Sequence, residues 1–329
     1  MKIAIVKLSS LGDIVHSMVV LQFIKKHYPE SVIDWVVEKR FKGILENNPH
    51  INQIHTVNLN KVKRDKSLKL LFTEVSKVRK FGQYDVVIDL QGLIKSAIVT
   101  KFISSRKIVG FDKNSIRERL SSYFYDQKVA IGYDQNTIVR YVKLISEALS
   151  IKITNDDIIN KEFYLFSKSK FLIPQTPYIV FVIGSTWQSR NYPKEKFMQI
   201  AQAIKKSCIV IWGNEKEKEK AEWMSSESNY IQVMPKLSLD DLKHVIDHAS
   251  LLIGNDTGPS HMSWALNIPS IILFGPTPIE RSFQTPINTV LSSNSKINHY
   301  KLDKNDFSIK EIKVSDVVKI AKELLGVSL

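Results

Sequence analysis

An α/β protein with two parallel-sheet domains in tandem is what this sequence predicts, and three observations predict it. The chain has 329 residues, enough for two domains at roughly 150 residues each, and either half can bury a core of its own. Short β-branched runs alternate with helical patterns from one end to the other. At Ile173-Pro174-Gln175-Thr176-Pro177 two prolines favour extended backbone and interrupt both periodicities.

The elements follow in order. Ile3 to Val6, Val32 to Val37, Ile54 to Val57, Val86 to Leu90 and Ile108 to Val109 read as strands. Several are apolar on both faces, as buried parallel strands are. Helical stretches lie between them, among them Ile14 to His27 and Leu68 to Phe81. The second half repeats the style with Tyr178 to Ile183, Cys208 to Trp212, Ile231 to Val233, Leu251 to Ile253 and Ser270 to Phe274. Helices are expected near 194–205, 215–225, 239–248 and 258–266. Val314 to Leu325 is amphipathic with no strand after it, so it must pack on something already formed. The expected domains are 1–173 and 177–312, with 313–329 as a terminal helix, and a cleft between the halves is the default site.

Composition narrows the class. With 43% hydrophobic and 24% charged residues, the chain is neither disordered nor fibrous. The single cysteine, Cys208, excludes an intrachain disulfide and a thiolate metal cluster, and a reducing compartment is expected. The opening apolar run ends at Lys7, too short for a secretory signal, and no stretch of 18 uncharged apolar residues exists. The expected location is cytoplasmic or peripheral to a membrane's inner face. Of the net charge of +14, residues 1–176 carry +12 and residues 177–329 carry +2. Such asymmetry suggests that the first domain meets an anionic partner, or that the charge serves solubility.

Three loops at strand C-terminal ends hold most of the chemistry, which is where ligands bind in open α/β sheets. Lys7-Leu8-Ser9-Ser10-Leu11-Gly12-Asp13 matches neither the dinucleotide nor the P-loop fingerprint. Asp13 can cap the helix that follows or act as a base, and the residues alone leave both open. In Gly184-Ser185-Thr186-Trp187-Gln188-Ser189-Arg190, hydroxyls and a guanidinium suit a phosphate cradle, with plain turn chemistry as the alternative. Gly254-Asn255-Asp256-Thr257-Gly258-Pro259-Ser260-His261 places free N–H groups at a helix start, a seat for a diphosphate. His261 alone reads as a structural histidine.

Taken together, these residues resemble the bacterial lipopolysaccharide heptosyltransferases over essentially the whole chain. The match lies in Lys7 to His16, in Asp89-Leu90-Gln91-Gly92-Leu93-Ile94-Lys95-Ser96-Ala97, in Trp212-Gly213, and in Asp256 to His261 with Phe274-Gly275-Pro276-Thr277. The Asp89 segment is most similar to the enzymes that add the first heptose, with the second-heptose enzymes as the nearest alternative. The resemblance implies a GT-B fold, two Rossmann-like domains facing an interdomain cleft. It implies inverting transfer of heptose from ADP-heptose to the Kdo of Kdo-lipid A, with the terminal helix returning to the first domain.

By the same resemblance, Asp13 matches the catalytic base. Ser185 and Thr186 match a phosphate-contacting pair, Thr257 and Gly258 a diphosphate-binding helix start, and Glu217 the acid that meets the ribose. Asp256 matches a residue near the donor heptose, and His261 a family histidine. Arg190 stands where the family shows lysine, so a planar fork replaces a point charge beside the leaving diphosphate. No D-x-D motif occurs, so metal-independent catalysis without a cofactor is expected, the leaving charge falling to Arg190 and a helix start. Ser10, Gly12, Lys63, Arg64, Lys95 and Arg117 are the expected acceptor contacts. An anionic inner-membrane surface is an expected partner, nucleic acid is not, and a monomer is expected. A rival of another class is a non-catalytic basic module that binds polyanions, which would have no use for the loops of the neutral half.

Overall fold

A computed structural model of the chain describes residues 1–326. Two compact units divide it, Met1–Tyr164 and Leu165–Leu329, so the division falls ahead of the proline segment at which it was expected. Pro174 and Pro177 lie in irregular backbone just before the first strand of the second unit.

The first unit is built on six parallel strands: β1 (Lys2–Val6), β2 (Val32–Glu38), β3 (Gln53–Val57), β4 (Val86–Asp89), β5 (Ile108–Phe111) and β6 (Gln127–Val129), in the order β3-β2-β1-β4-β5-β6. The helices that matter here are α1 (Leu11–Ser17), α2 (Val20–His27), α3 (Leu59–Asp65), α4 (Leu68–Val78), α5 (Ile94–Phe102) and α6 (Thr137–Leu149). The second unit repeats the order as β9-β8-β7-β10-β11-β12, with β7 (Tyr178–Val182), β8 (Ser207–Ile211), β9 (Ile231–Val233), β10 (Leu251–Asn255), β11 (Ser270–Phe274) and β12 (Asn288–Ser292). Its helices are α7 (Lys194–Ile204), α8 (Glu215–Ser226), α9 (Leu239–Asp247), α10 (Gly258–Leu266) and α11 (Val314–Leu324).

In both sheets the order reverses beside the first strand. That reversal opens a crevice at the carboxyl ends of β1 and β4 in one unit, and of β7 and β10 in the other. The central strands are apolar on both faces and wholly buried, from Ile3 to Val6 and from Tyr178 to Val182, because helices cover both sides.

Two expectations need correction. The single helix expected over Ile14 to His27 is broken at Met18 and Val19. There the Ser17 hydroxyl turns back onto the Ile14 carbonyl at 2.8 Å, and the Met18 N–H is shared between Ile14 and Val15. The terminal helix α11 was expected on the first domain, yet Val317 and Ala321 are buried in the second unit's own core, where α11 packs against α7. Its apolar face is thereby used, which is the physical reason for the placement. Residues 327–329 of that expected helix lie outside the described residues.

A polar network is buried at the opposite end of the first sheet. Asp34 accepts from Asn52 Nδ2 and the Tyr84 hydroxyl, both at 2.8 Å, with Lys2 at 3.6 Å. Burial pushes its carboxyl up, but bonds from His55, Asn52 and Tyr84 outweigh that and hold it down at about 2. A depressed folded-state value means that its stabilisation is complete above the ordinary 3.8 and is lost as pH falls towards 2. Asp34→Asn is therefore expected to melt lower than the parent at pH 7, with the gap closing below pH 4. Melting curves across that range check this, and a gap independent of pH would refute it.

Candidate active site

In the first unit the crevice between β1 and β4 gathers the opening loop and the Asp89 segment, since Val6 and Asp89 are partners in adjacent strands. Leu8 and Ser9 both donate their backbone N–H to Gln91 Oε1, at 3.1 and 3.0 Å. One amide side chain thus ties the two loops together. Gly92 turns the second loop with φ +65°, a region that suits glycine, and a Cβ there would meet Ile116 at 2.7 Å. Asp89 sits beneath, fully buried, accepting from the Gln91 N–H and the Tyr125 hydroxyl at 2.8 Å each. Burial pushes its carboxyl up, against the bonds from Ser96 and Tyr125.

Asp13 occupies the first turn of α1, half-buried. Its Oδ2 accepts the Ser10 N–H at 3.1 Å and the Ser10 hydroxyl at 2.7 Å, a capping arrangement that fixes the carboxylate at the mouth of the crevice. Gly12 is buried beside it. Lys95, in the first turn of α5, reaches across to donate to Ser9 Oγ at 3.0 Å. Lys7 is buried beneath them, donating to the Leu90 carbonyl at 3.2 Å with its ammonium 4.7 Å from the Tyr141 ring centre. Burial pulls its value down, while Asp13 and Asp89 pull it back up.

The structure thus brings Ser10, Gly12, Asp13 and Lys95 together. Arg117 is exposed on the adjoining loop, whose Glu118 accepts from the Ile94 N–H at 2.8 Å. Lys63 and Arg64 lie further out on α3 at the same sheet edge, Arg64 paired with Asp65 at 2.8 Å. Sequence reasoning missed Lys7 and Gln91 as working parts of this crevice. The signal for Lys7 was a lysine ending a strand buried on both faces.

In the second unit, the loop after β7 and the loop after β10 meet through Asn255. Its side chain donates to the Ile183 carbonyl at 2.8 Å and accepts the Tyr192 N–H at 3.0 Å. Asp256 is 2% exposed and carries three partners: Arg190 Nη2 at 2.8 Å, the Thr277 hydroxyl at 2.8 Å and His261 Nε2 at 2.9 Å. Burial pushes the Asp256 carboxyl up, but the Arg190 guanidinium, and after it His261, hold it well below the usual carboxylate range. Arg190, expected to meet phosphate, is thus itself held by a carboxylate. Asp256, expected near the donor heptose, is that carboxylate, held in turn by Thr277 and His261. Thr277 was a missed partner, quoted in the sequence only as part of a motif.

Thr257 caps α10 with no side-chain bond to the helix start, which leaves the first-turn N–H groups of Gly258 and Ser260 without a partner inside the helix. In the facing loop, Ser185 Oγ, Ser189 Oγ and Asn191 Oδ1 are buried without a hydrogen-bond partner, the usual mark of a place where a ligand completes the set. Thr186 is exposed. Glu217, in the first turn of α8, accepts from the Gly213 N–H and from Asn214 Nδ2, both at 2.7 Å. Its carboxyl lies so close to Gly184 that a Cβ there would fall 2.2 Å from it. Glycine at 184 is what lets Glu217 stand beside Ser185. Among the described residues, no cluster of His, Cys, Asp and Glu is suited to hold a metal ion.

The loops of the second unit set unpartnered buried hydroxyls near a helix start, which suits an oxyanion, and those of the first unit present the Asp13 carboxylate, which suits proton removal from a hydroxyl. Comparison with known proteins agrees. Residues 76–310 match the model of glycosyltransferase family 9 (heptosyltransferase). The chain is 41% identical to lipopolysaccharide heptosyltransferase 1 of Campylobacter coli, over 99% of each chain. It is 30% identical to lipopolysaccharide heptosyltransferase 1 of Escherichia coli K12, over 84% of this chain and 88% of that one. In fold it resembles the E. coli heptosyltransferase WaaC solved with ADP-2-deoxy-2-fluoro heptose, with TM-score 0.80, 24% identity and coverage of 98% and 99%. These findings, with the two doubly wound sheets and their loops, establish that the chain belongs to glycosyltransferase family 9, the heptosyltransferases.

Proposed function

We propose that this glycosyltransferase moves L-glycero-D-manno-heptose from ADP-heptose onto Kdo of Kdo-lipid A, as the first heptose of a lipopolysaccharide inner core. The observation that carries the reading is the full-length identity of 41% to a lipopolysaccharide heptosyltransferase 1.

The chemistry follows from the two crevices. Asp13 takes the proton from the acceptor hydroxyl as its oxygen attacks the anomeric carbon. The bond from that carbon to the diphosphate oxygen breaks, ADP leaves with its electron pair, and the anomeric centre inverts. The first-turn N–H groups of α10, with Thr257 and Gly258, receive the diphosphate. Ser185 and Thr186 complete the cradle, and Glu217 accepts from ribose hydroxyls. Arg190 faces the leaving charge, held in direction by Asp256, whose other oxygen His261 holds. In the first unit Lys95, Arg117, Ser10 and Gly12 receive the acceptor's carboxylate and phosphate groups. Its anionic lipid would bring the enzyme to the cytoplasmic face of the inner membrane, without a crossing helix: among the described residues no helix is long and apolar enough to span a bilayer.

Melting the protein with ADP and, separately, with equal inorganic phosphate tests the donor half. ADP should stabilise far more, because a ligand bound only by the native state shifts the equilibrium by its affinity. Equal shifts would favour a general polyanion binder. The acceptor half has its own expected result. Neutralising Lys63, Arg64 and Lys66 together should raise the KM for a delipidated Kdo acceptor and leave the KM for ADP-heptose unchanged. Exposed charges are screened over about 8 to 10 Å at physiological salt, so the variant should also lose salt sensitivity. An unchanged acceptor KM would remove this cluster from acceptor recognition.

A further inference from the structure

Three neighbouring elements of the first unit leave large apolar side chains in solvent. On α4, Leu68 and Phe72 are 72% and 70% exposed. On α5, Ile94 and Ile98 stand exposed one turn apart, and on the short 3₁₀ turn Arg119–Phe124 Tyr123 is 74% exposed. These are neighbours, since α4 packs against α5 and α5 against that turn. Arg79, at the end of α4, lies 5.2 Å from the centre of the Phe102 ring at the end of α5, so the two helices run side by side in one direction. Helices of a parallel α/β unit start where strands end. Leu68 and Ile94 therefore lie towards the sheet edge that carries Asp13 and Lys95.

Apolar exposure gathered on neighbouring elements marks an interaction face, and the charge around it selects the partner. Lys61, Lys63, Lys66 and Lys69 surround Leu68 in the chain. The sole carboxylate between residues 59 and 72 is Asp65, already paired with Arg64. Exposed apolar side chains set among ammonium groups on a helical face suit the boundary of an anionic bilayer. A second copy of the chain fits poorly, because a two-fold contact would set the same lysines against each other.

We propose that this face docks on an anionic lipid surface, with Leu68 and Phe72 entering the headgroup boundary while the neighbouring lysines meet lipid phosphates. The proposal deepens the functional reading and rests on its membrane-lipid acceptor. Full-length protein is to be sedimented with phosphatidylglycerol-containing vesicles and with pure phosphatidylcholine vesicles, beside a Leu68→Ser/Phe72→Ser variant. The parent should bind the anionic vesicles selectively. The variant should bind them at least about tenfold more weakly, from the lost apolar burial, while keeping parental turnover on a delipidated acceptor. Should the double variant fail to fold, Tyr123→Ser is expected to weaken vesicle binding in the same direction. Vesicle binding equal to the parent's in the folded variants overturns the proposal. So does a parent that ignores vesicles yet transfers heptose, a result that leaves the transferase reading standing. Concentration-dependent self-association abolished by the same substitutions, without vesicle binding, would assign the face to a second copy instead.

Discussion

Asp13→Asn is expected to lower kcat by about 100-fold to 10,000-fold, the usual cost of losing a general base, with little change in ADP binding. The substitution is chosen for its geometry. An asparagine oxygen can still accept the Ser10 N–H and hydroxyl that Asp13 Oδ2 accepts at 3.1 and 2.7 Å, so the start of α1 survives. What the amide cannot do is take a proton from a sugar hydroxyl. Melting temperature and ADP affinity should stay near parental while turnover falls. Near-parental turnover in the folded variant would reduce Asp13 to a helix cap.

The second large effect concerns stability as well as chemistry. Asp256→Ala should destabilise the protein by about 3 to 5 kcal/mol, the usual cost of removing one partner from a buried ion pair. Arg190, at 2.8 Å, and His261, at 2.9 Å, would lose the carboxylate that holds them. Because Asp256 is held far below the ordinary 3.8 in the folded protein, its contribution is complete above that pH and is lost progressively in acid. Parent and variant melting curves should accordingly converge as pH falls. The double variant Arg190→Ala/Asp256→Ala should be less destabilised than the two single changes added together, since the residues share one interaction. Additive losses would mean that the pair is not a unit, and Arg190 would then have to be oriented by something else.

Much of this architecture was legible because buried parallel strands read as unbroken apolar runs, and those of β1, β2, β7 and β11 fall almost where they were expected. The two edge strands at the far side of each sheet, Gln127–Val129 and Asn288–Ser292, were not legible. They are short and half-exposed, and Asn288-Thr289-Val290-Leu291-Ser292 mixes polar and apolar residues without a clear period. The destination of the terminal helix could not be read either. Its amphipathic pattern demands a partner face without saying which one.

The site was legible as loops but not as contacts. Polar residues following a buried strand marked Ser185, Asp256 and Thr257 by position alone. That Arg190 would spend its fork on Asp256, or that Gly184 would admit the Glu217 carboxyl, depends on pairs separated by tens of residues. Local sequence carries no record of such pairing. Lys7 shows the same limit from the other side, since its burial follows from packing under α6 and the Leu90 carbonyl rather than from its neighbours in the chain.

The most direct test incubates the protein with ADP-heptose and two acceptors, Kdo-lipid A and Kdo-lipid A already bearing one heptose, and weighs the products by mass spectrometry. A first-heptose transferase should add the mass of a single heptose to the unmodified acceptor, release ADP and leave the heptosylated acceptor unchanged. Growth of the heptosylated acceptor alone would make it a second-heptose enzyme. No mass gain on either, with a folded protein that binds ADP, would contradict the account.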